Sequence, residues 1–236
     1  MTGKRGAQPI YADMAIETAL ALRLLFHLPL RQTEGFLGAV LRLMGLSLPP
    51  PDHTSLSRRH ATVGIKRQVA HAPQGPIDLI VDGTGVKVWG QGEWQSQQHG
   101  EKKPKRWKKL HIGVNAQGRI VAYTVTESHA QDPSQVPELL SQVDCVIARF
   151  IGDGIFDHAP VSTAVENHAP GARVIIPPRK DAVWSSMARI APTQRDQHVL
   201  AIESDGRSAG KRLSGYYTQS QAEHAFSRCK RTFGGG

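Results

Sequence analysis

Cysteine is scarce in this chain of 236 residues, where Cys145 and Cys229 are the only two. They form no Cys-x-x-Cys pair, which argues against a thiolate zinc site, and they give no sign of a disulfide framework. Apolar runs are short as well, and none reaches the ~18 residues that a membrane-spanning helix needs. Because the first residues also lack the apolar stretch of a signal peptide, we expect a cytoplasmic protein.

Several motifs of common enzyme classes are missing too. The glycines between Gly83 and Gly92 do not form Gly-x-Gly-x-x-Gly ahead of a helix, so a dinucleotide site is not expected. The 11 histidines include no His-Glu-x-x-His pattern. The segment Asp82-Gly-Thr-Gly85 resembles the Asp-Thr-Gly of aspartic proteases, but it carries an inserted glycine and has no second copy. These absences argue against all three classes.

Negative charge is outweighed by positive charge. Lys and Arg together number 29, whereas Asp and Glu number 20, which gives a formal net charge of +9. Such a balance favours a polyanionic partner, because binding releases counterions and the positive field steers the encounter. Charge alone does not identify nucleic acid, since basic chains are common. The hydrophobic fraction of 39% is enough for one large core or two smaller ones.

Residues 1–70 are predicted to form a small helical domain. Apolar residues recur at helical spacing from Tyr11 to about Gly45, and Pro29 divides this stretch into two helices. A third short helix is expected after the prolines at 49–51, with Asp52 or Thr54 as its cap.

The second and third of these helices could form a helix-turn-helix reader of DNA. The third helix carries Arg58 and Arg59, which would then contact DNA. The alternative is a plain helical bundle with a basic, solvated face. The proline- and glycine-containing link His71–Pro76 separates this domain from the rest of the chain.

The periodicity changes to that of strands in residues 71–236, which we expect to form a second domain. Leu79–Val81 is a short apolar run typical of a buried central strand, and alternating segments around Asn115–Gly118 predict a hairpin. With the final helix, the order of elements indicates an α/β class with a mixed sheet, which suits a ribonuclease-H-like core. The elements predicted between hairpin and final helix are a helix over Pro133–Val143, a strand over Val146–Ile151, a helix over Pro160–His168 and a strand over Arg173–Ile176.

Three carboxylates each belong to a different predicted element. Asp82 comes at the end of the strand Leu79–Val81, Asp153 follows another buried strand, and Glu223 lies on the last helix. Carboxylates that a fold brings together can hold divalent cations, and Mg²⁺ prefers such oxygen ligands. Two ions roughly 3.5–4 Å apart stabilise the attacking and leaving oxygens of a phosphodiester. The pattern predicts a two-metal site, whereas Asp157 is interpreted as the N-cap of the helix near Pro160.

A basic segment follows Asp82 in the sequence. Its positive side chains could follow a DNA backbone, and its tryptophan could stack on an unpaired base. A solvated basic loop is the alternative interpretation. The candidate DNA-binding residues of this segment are Lys105, Arg106, Trp107, Lys108 and Lys109.

One face of the predicted last helix carries four polar side chains. A helix of about 3.6 residues per turn brings their positions to the same side, opposite an apolar stripe. That face could look into a catalytic cleft, or it could be an ordinary solvated surface. The four residues are Tyr216, Gln219, Glu223 and Lys230.

Five segments of the chain resemble the DDE transposases of bacterial insertion sequences. In the family's order, and over nearly the whole chain, they are Asp82–Trp94, Arg106–His111, Gly152–Asp157, Ile175–Lys180 and Tyr216–Lys230. The resemblance implies a ribonuclease-H-like core on which three carboxylates bind two Mg²⁺ or Mn²⁺ ions and act as the catalytic triad. It also implies double-stranded DNA as the partner, namely the element's terminal inverted repeats and target DNA, a homo-oligomer on that DNA, and a place in the bacterial nucleoid. The implied triad is Asp82, Asp153 and Glu223.

The subgroup that this chain resembles carries Tyr, Arg, Glu and Lys along the last helix. Tyr216, Glu223 and Lys230 match this pattern, and the resemblance implies a phosphate contact near the cut for Lys230. Gln219 stands where the subgroup has Arg, and a neutral amide cannot form the bidentate charged fork that Arg makes with a phosphate.

Relatives of this kind usually begin earlier and continue past Gly236. We therefore expect a copy shortened at both ends, with a catalytic domain incomplete at its C-terminal end. Two alternatives to an active transposase remain open. One is a remnant that binds DNA without cutting it, and the other is a metal-dependent nuclease that cuts without joining.

Overall fold

Internal contacts divide the chain into two units, Met1–Gln68 and Val69–Gly236. The computed structural model describes residues 10–63, 75–87, 107–179, 182–186, 188–206 and 215–233. Within these ranges no helix combines the length and the apolar character that crossing a membrane would require.

Three helices form the described part of the first unit: α1 (Asp13–Leu25), α2 (Leu30–Leu43) and α3 (His53–His60). They lie where the sequence predicted them. Pro29 directly precedes α2, as its fixed φ and missing N–H favour at a helix start. A small core joins the helices, built around the buried residues Ile16, Ala19, Leu20 and Leu56.

The start of α3 is held by its cap. The carboxylate of Asp52 accepts hydrogen bonds from the backbone N–H groups of Thr54 and Ser55, at 3.0 and 2.8 Å. These two N–H groups have no partner within the helix itself. Asp52, and not Thr54, is therefore the N-cap.

A five-stranded mixed sheet is the centre of the second unit, with strand order β3-β2-β1-β4-β5. The strands β1, β2 and β3 pair antiparallel, while β4 and β5 continue the sheet parallel to β1. This confirms the predicted α/β class and mixed sheet, and it is consistent with a ribonuclease-H-like core. The strands are β1 (Ile77–Lys87), β2 (Trp107–Val114), β3 (Ile120–Glu127), β4 (Ile147–Ile151) and β5 (Arg173–Ile175).

The predicted hairpin joins β2 to β3. The side chain of Asn115 accepts hydrogen bonds from the backbone N–H groups of Gln117 and Arg119, at 3.1 and 2.9 Å. Gly118 takes a φ of +70°, which a residue with a side chain rarely adopts. The turn chemistry therefore accounts for the hairpin.

Helices cover both faces of the sheet. A 3-10 turn (Asp132–Gln135) leads into α4 (Val136–Leu140). Another 3-10 turn (Tyr216–Gln219) leads into the last helix, α7 (Ser220–Phe233). The helix α6 was not predicted; a capping box between Thr193 and Asp196 starts it. The remaining helices are α5 (Ala159–His168) and α6 (Gln194–Asp205).

One capping prediction is wrong. His158 is the N-cap of α5, and its side chain makes no capping hydrogen bond. The carboxylate of Asp157 instead pairs with Arg195, whose Nε donates to Oδ1 at 2.7 Å, and accepts the backbone N–H of Arg179 at 3.1 Å. Through its ion pair with Arg195, Asp157 connects the segment after β4 to α6.

The two faces of the sheet have separate cores. Leu79 and Val81 of β1 pack with α4 and α5 on one face, whereas Ile80 packs against α7 on the other. Side chains alternate between the faces along a strand. We call the face covered by α7 the α7 face, and the face covered by α4 and α5 the opposite face.

The strand carrying Asp82 is longer than predicted. Asp82 does not end β1, which continues to Lys87 along β2. On its other side, β1 pairs with β4 only as far as Ile80, opposite Ile151. The sheet therefore narrows beside Asp82, and from there on no other described strand pairs with the edge of β1 that faces β4.

Candidate active site

Asp82 and Asp153 both lie just beyond the last paired residues of two adjacent parallel strands. Ile80 of β1 pairs with Ile151 of β4, and each aspartate follows two residues later. Both isoleucines belong to the core of the α7 face. Because Asp153 keeps an extended backbone, with φ −75° and ψ 176°, positions 82 and 153 both fall on the α7 face.

The carboxylate of Asp82 is half-buried and faces other negative groups. Burial raises its pKa from the ordinary 3.8 to about 6, although its hydrogen bond from the backbone N–H of Gly83, at 2.7 Å, works in the other direction. The negative charges of Asp153, Asp132 and Glu223 raise the pKa further. Burial and the three neighbouring carboxylates thus act on the pKa of Asp82 in the same direction.

Glu223 reaches this region from α7. The helix is anchored to the α7 face by its buried residues Ala222, Ala225 and Phe226, which leaves Glu223 exposed. Burial raises the pKa of Tyr216, and the charges of Asp153, Asp82 and Glu223 add to that effect. Tyr216 is thus near all three carboxylates, and its hydroxyl stays protonated at neutral pH.

Gln219 lies under α7 and not on its solvent side. It is only 6% exposed, and its Nε2 donates a hydrogen bond to the carbonyl of Val81 at 3.1 Å. Its Oε1 is buried and has no hydrogen-bond partner among the described residues. The amide therefore attaches the start of α7 to the backbone directly before Asp82, and DNA does not reach it in this arrangement.

The predicted basic contacts fall into different environments. Lys108 lies on the α7 face of β2 and forms an exposed ion pair with Glu127. Trp107 is 43% exposed and lies over Gly85. Lys109 points to the opposite face, where its Nζ pairs with Asp132. The other two predicted contacts, Lys105 and Arg106, lie outside the described residues.

The remaining predicted contacts have surface positions. Lys230 lies on α7, partly exposed. Arg58 is exposed on α3, where its Nε donates to the carbonyl of Thr54. Arg59 is an ion-pair partner of Asp13 and so joins α3 to the start of α1. Of the two arginines, Arg58 is the more accessible to a ligand.

A buried charged cluster lies directly behind Asp82, and sequence reasoning missed it. Asp132 contacts Lys109 Nζ through Oδ2 at 2.7 Å and His111 Nδ1 through Oδ1 at 2.9 Å. His111 is 1% exposed, and its Nε2 lies 2.8 Å from Thr126 Oγ1. The one signal in the sequence was the alternation of Lys109 and His111 along β2, which places both on the same face.

Comparison with protein-family models gives two matches over this chain. The family model described as "Transposase DDE domain" matches residues 73–236, which is more than half of the chain and contains all three carboxylates. The chain belongs to the DDE transposase family. A second model with the same description matches residues 1–91. Together the matches cover the chain, so membership indicates a function in transposition.

DDE transposases typically use divalent metal ions, and the residues of this member fit such ions in their chemistry. Carboxylate oxygens are the ligands that Mg²⁺ and Mn²⁺ prefer. Among the described residues, no three His, Cys, Asp or Glu side chains lie close enough together to bind one metal ion. Mg²⁺ is commonly held by one or two carboxylates together with substrate phosphates. Burial raises the pKa of Asp82, and the charges of Asp153, Asp132 and Glu223 add to that effect.

A large cavity in this DDE transposase domain lies away from the carboxylates. Its volume is about 710 Å³, and it is enclosed by α5, β5 and the start of α6. Asp157, Arg195 and His198 line it, whereas Asp82, Asp153 and Glu223 do not. The cavity is therefore distinct from the region of the three carboxylates.

Proposed function

We propose that this chain is a transposase that binds the terminal inverted repeats of an insertion sequence and catalyses metal-dependent DNA cleavage and strand transfer. The observation that carries the proposal is the matched position of Asp82 and Asp153, each two residues beyond Ile80 and Ile151, the last residue pair that joins the parallel strands β1 and β4. Glu223 is the third member of the proposed triad. It is carried by the helix that packs on the same face, and its charge acts on Asp82.

The three carboxylates would hold Mg²⁺ or Mn²⁺. Two such ions stabilise the attacking and leaving oxygens during in-line displacement at phosphorus. The protein's own part is to fix the ligands. The N–H of Gly83 orients the Asp82 carboxylate, and the N–H of Ile155 donates to Asp153 Oδ1 at 2.9 Å. A carboxylate with a pKa near 6 is largely ionised at neutral pH, as a metal ligand must be.

Tyr216 and the basic residues are proposed to position DNA. The hydroxyl of Tyr216 remains protonated, so it can donate to a phosphate oxygen near the carboxylates. Lys108 lies on the same face of the sheet as Asp82, and Lys230 lies on α7. Lys105 and Arg106 are further proposed phosphate contacts, and Trp107 is proposed to stack on a base.

Residues 1–70 are proposed to be a helical DNA-binding domain. The support is a short helix with arginine side chains, α3, which follows α2 after the connecting segment 44–52. Arg58 and Arg59 are its candidate DNA contacts. The net charge of +9 favours the same polyanionic partner. A homo-oligomer bound to the two element ends is part of the proposal.

The test is a strand-cleavage assay on a supercoiled plasmid that carries the DNA flanking the gene. With Mg²⁺ or Mn²⁺ the wild-type protein should cut the element ends and join them to target DNA. Asp82→Asn, Asp153→Asn and Glu223→Gln should each retain DNA binding and lose at least about a hundredfold in cleavage. Asp144→Asn is the matched control, because Asp144 is exposed in the loop before β4 and away from Asp153.

Each outcome of this assay separates the candidate functions. Cleavage followed by joining supports the transposase. Binding without cleavage by the wild-type protein would identify a remnant that only binds DNA, and cleavage without joining would identify a nuclease. Equal cleavage by the three triad variants and the wild type would reject the proposed triad.

A further inference from the structure

The carboxylate of Asp132 lies against the backbone of β1 next to Asp82. A β-carbon added to Gly83 would lie 2.0 Å from Asp132 Oδ1 and 3.2 Å from His111 Nδ1. The distance of 2.0 Å to Oδ1 is far shorter than any contact between two atoms that are not bonded to each other. Glycine at position 83 is therefore what allows the carboxylate to reach the strand.

Asp132 and Asp82 lie on opposite faces of the same strand. Gly83 pairs with His111 on the opposite face, whereas Asp82 pairs with Ile112 on the α7 face. The two carboxylates therefore approach β1 from its two faces at neighbouring positions, Asp82 by its own side chain and Asp132 at Gly83. The N–H of Gly83 donates to Asp82 Oδ1, so a shift of the backbone at Gly83 would move the carboxylate of Asp82.

Asp132 is itself held firmly. It is 6% exposed, and Lys109 Nζ contacts both its Oδ2 and, at 3.3 Å, the carbonyl of Ala130. His111 lies beside Oδ1 and is in turn held by Thr126. The cluster joins three separate segments, namely β2, β3 and the turn before α4, and two of its members, Asp132 and His111, lie against Gly83.

We propose that Asp132 is a positioning residue of the DNA-cleavage site, which fixes the backbone at Gly83 from the opposite face and so sets the position of the Asp82 carboxylate. Lys109 holds Asp132 in place through its ion pair with Oδ2, and His111 packs beside Oδ1. This inference rests on the proposed role of Asp82 as a metal ligand. It also assigns Lys109 to the support of the site and not to a DNA phosphate.

The first test measures backbone hydrogen exchange at Gly83 and Thr84 in the metal-free protein. Asp132→Asn keeps the size of the side chain and removes its charge, and it should speed exchange there by about tenfold. Asp196→Asn is the matched control. Asp196 is also a buried carboxylate with several hydrogen bonds, but it caps α6, so it should leave exchange at Gly83 unchanged.

The second test measures Mn²⁺ binding without DNA, by electron paramagnetic resonance. Loss of a group that orients a metal ligand typically weakens affinity by about tenfold to a hundredfold, and this is the expected change for Asp132→Asn. If Asp82→Ala binds Mn²⁺ as tightly as wild type, the proposed metal site fails. The exchange experiment would still decide whether Asp132 fixes the strand.

A double-mutant cycle tests the contact between Gly83 and Asp132. Gly83→Ala alone should displace Asp132 and weaken Mn²⁺ binding. In the double variant with Asp132→Ala, the clashing oxygen is gone, so the double variant should be no worse than Asp132→Ala alone. Additive losses, or an Asp132→Asn protein with wild-type exchange at Gly83 and wild-type Mn²⁺ binding, would overturn the proposal. If Asp132→Asn does not fold, Gly83→Ala and Thr126→Val probe the same cluster.

Discussion

Replacing Asp82 by Asn should stabilise the metal-free protein at neutral pH. Burial and three neighbouring carboxylates raise the pKa of Asp82 to about 6, which means that the fold disfavours its ionised form. An unfolded chain has no such penalty. The proposed metal ligand is therefore expected to weaken the fold until a cation binds, a cost that a neutral amide of the same shape avoids.

The magnitude follows from the pKa displacement from 3.8 to about 6. At about 1.4 kcal/mol per pH unit this displacement corresponds to at most about 3 kcal/mol. Since the carboxylate is partly exposed and solvent screens it, we expect about 1–2 kcal/mol for Asp82→Asn. The folded-state pKa lies above the unfolded one, so the folded state binds the extra proton between them. The penalty is full above pH 6 and disappears as the pH falls below 3.8.

The assay is urea unfolding of wild type and Asp82→Asn in the presence of a chelator, from pH 4 to pH 8. The difference in unfolding free energy between the two proteins should be near zero at pH 4 and should reach its full value by pH 7. Asp144→Asn, at an exposed position, should show no such dependence on pH. A variant less stable than wild type at pH 8, or a difference that does not change with pH, would refute the reasoning.

Two further predictions concern DNA binding and the support of α7. Lys108→Ala should lower the log-log salt dependence of duplex binding by roughly 0.9, because its ion pair with Glu127 is exposed and can exchange for a phosphate. Lys109→Ala should change the salt dependence much less, because the Lys109 ammonium pairs with the buried Asp132; equal slopes for both variants would contradict this. Gln219→Ala should lower the unfolding free energy by about 1–3 kcal/mol, because it leaves the carbonyl of Val81 without its donor. Wild-type stability in chemical unfolding would show that this hydrogen bond is unimportant.

Much of the fold was predictable because local signals were strong. Pro29 marks the start of α2, Asp52 caps α3, and the apolar run Leu79–Val81 is a buried strand, as predicted. The extension of β1 to Lys87 was not predictable from its own residues. Asp and Gly have low strand propensity, and Asp82, Gly83 and Gly85 lie in this extension. Pairing with the distant strand β2 overrides that propensity.

The site was predictable in its carboxylates but not in their surroundings. Gln219 was predicted to share a helix face with Glu223, but Tyr216–Gln219 form a 3-10 turn ahead of α7. Such a turn has about 3.0 residues per turn instead of 3.6, so the expected alignment does not hold and Gln219 is buried. The cluster around Asp132 was missed because its members come from three segments that only the folded sheet brings together.

The most direct test of the central claim is a crystal structure of the protein with Mn²⁺ and DNA, with the metal located by anomalous scattering. If the three carboxylates form the proposed metal site, the structure should show two Mn²⁺ ions roughly 3.5–4 Å apart, bound by Asp82, Asp153 and Glu223 on the α7 face. Mn²⁺ bound elsewhere, or ions at this site that Asp82 and Asp153 do not both contact, would contradict the central claim.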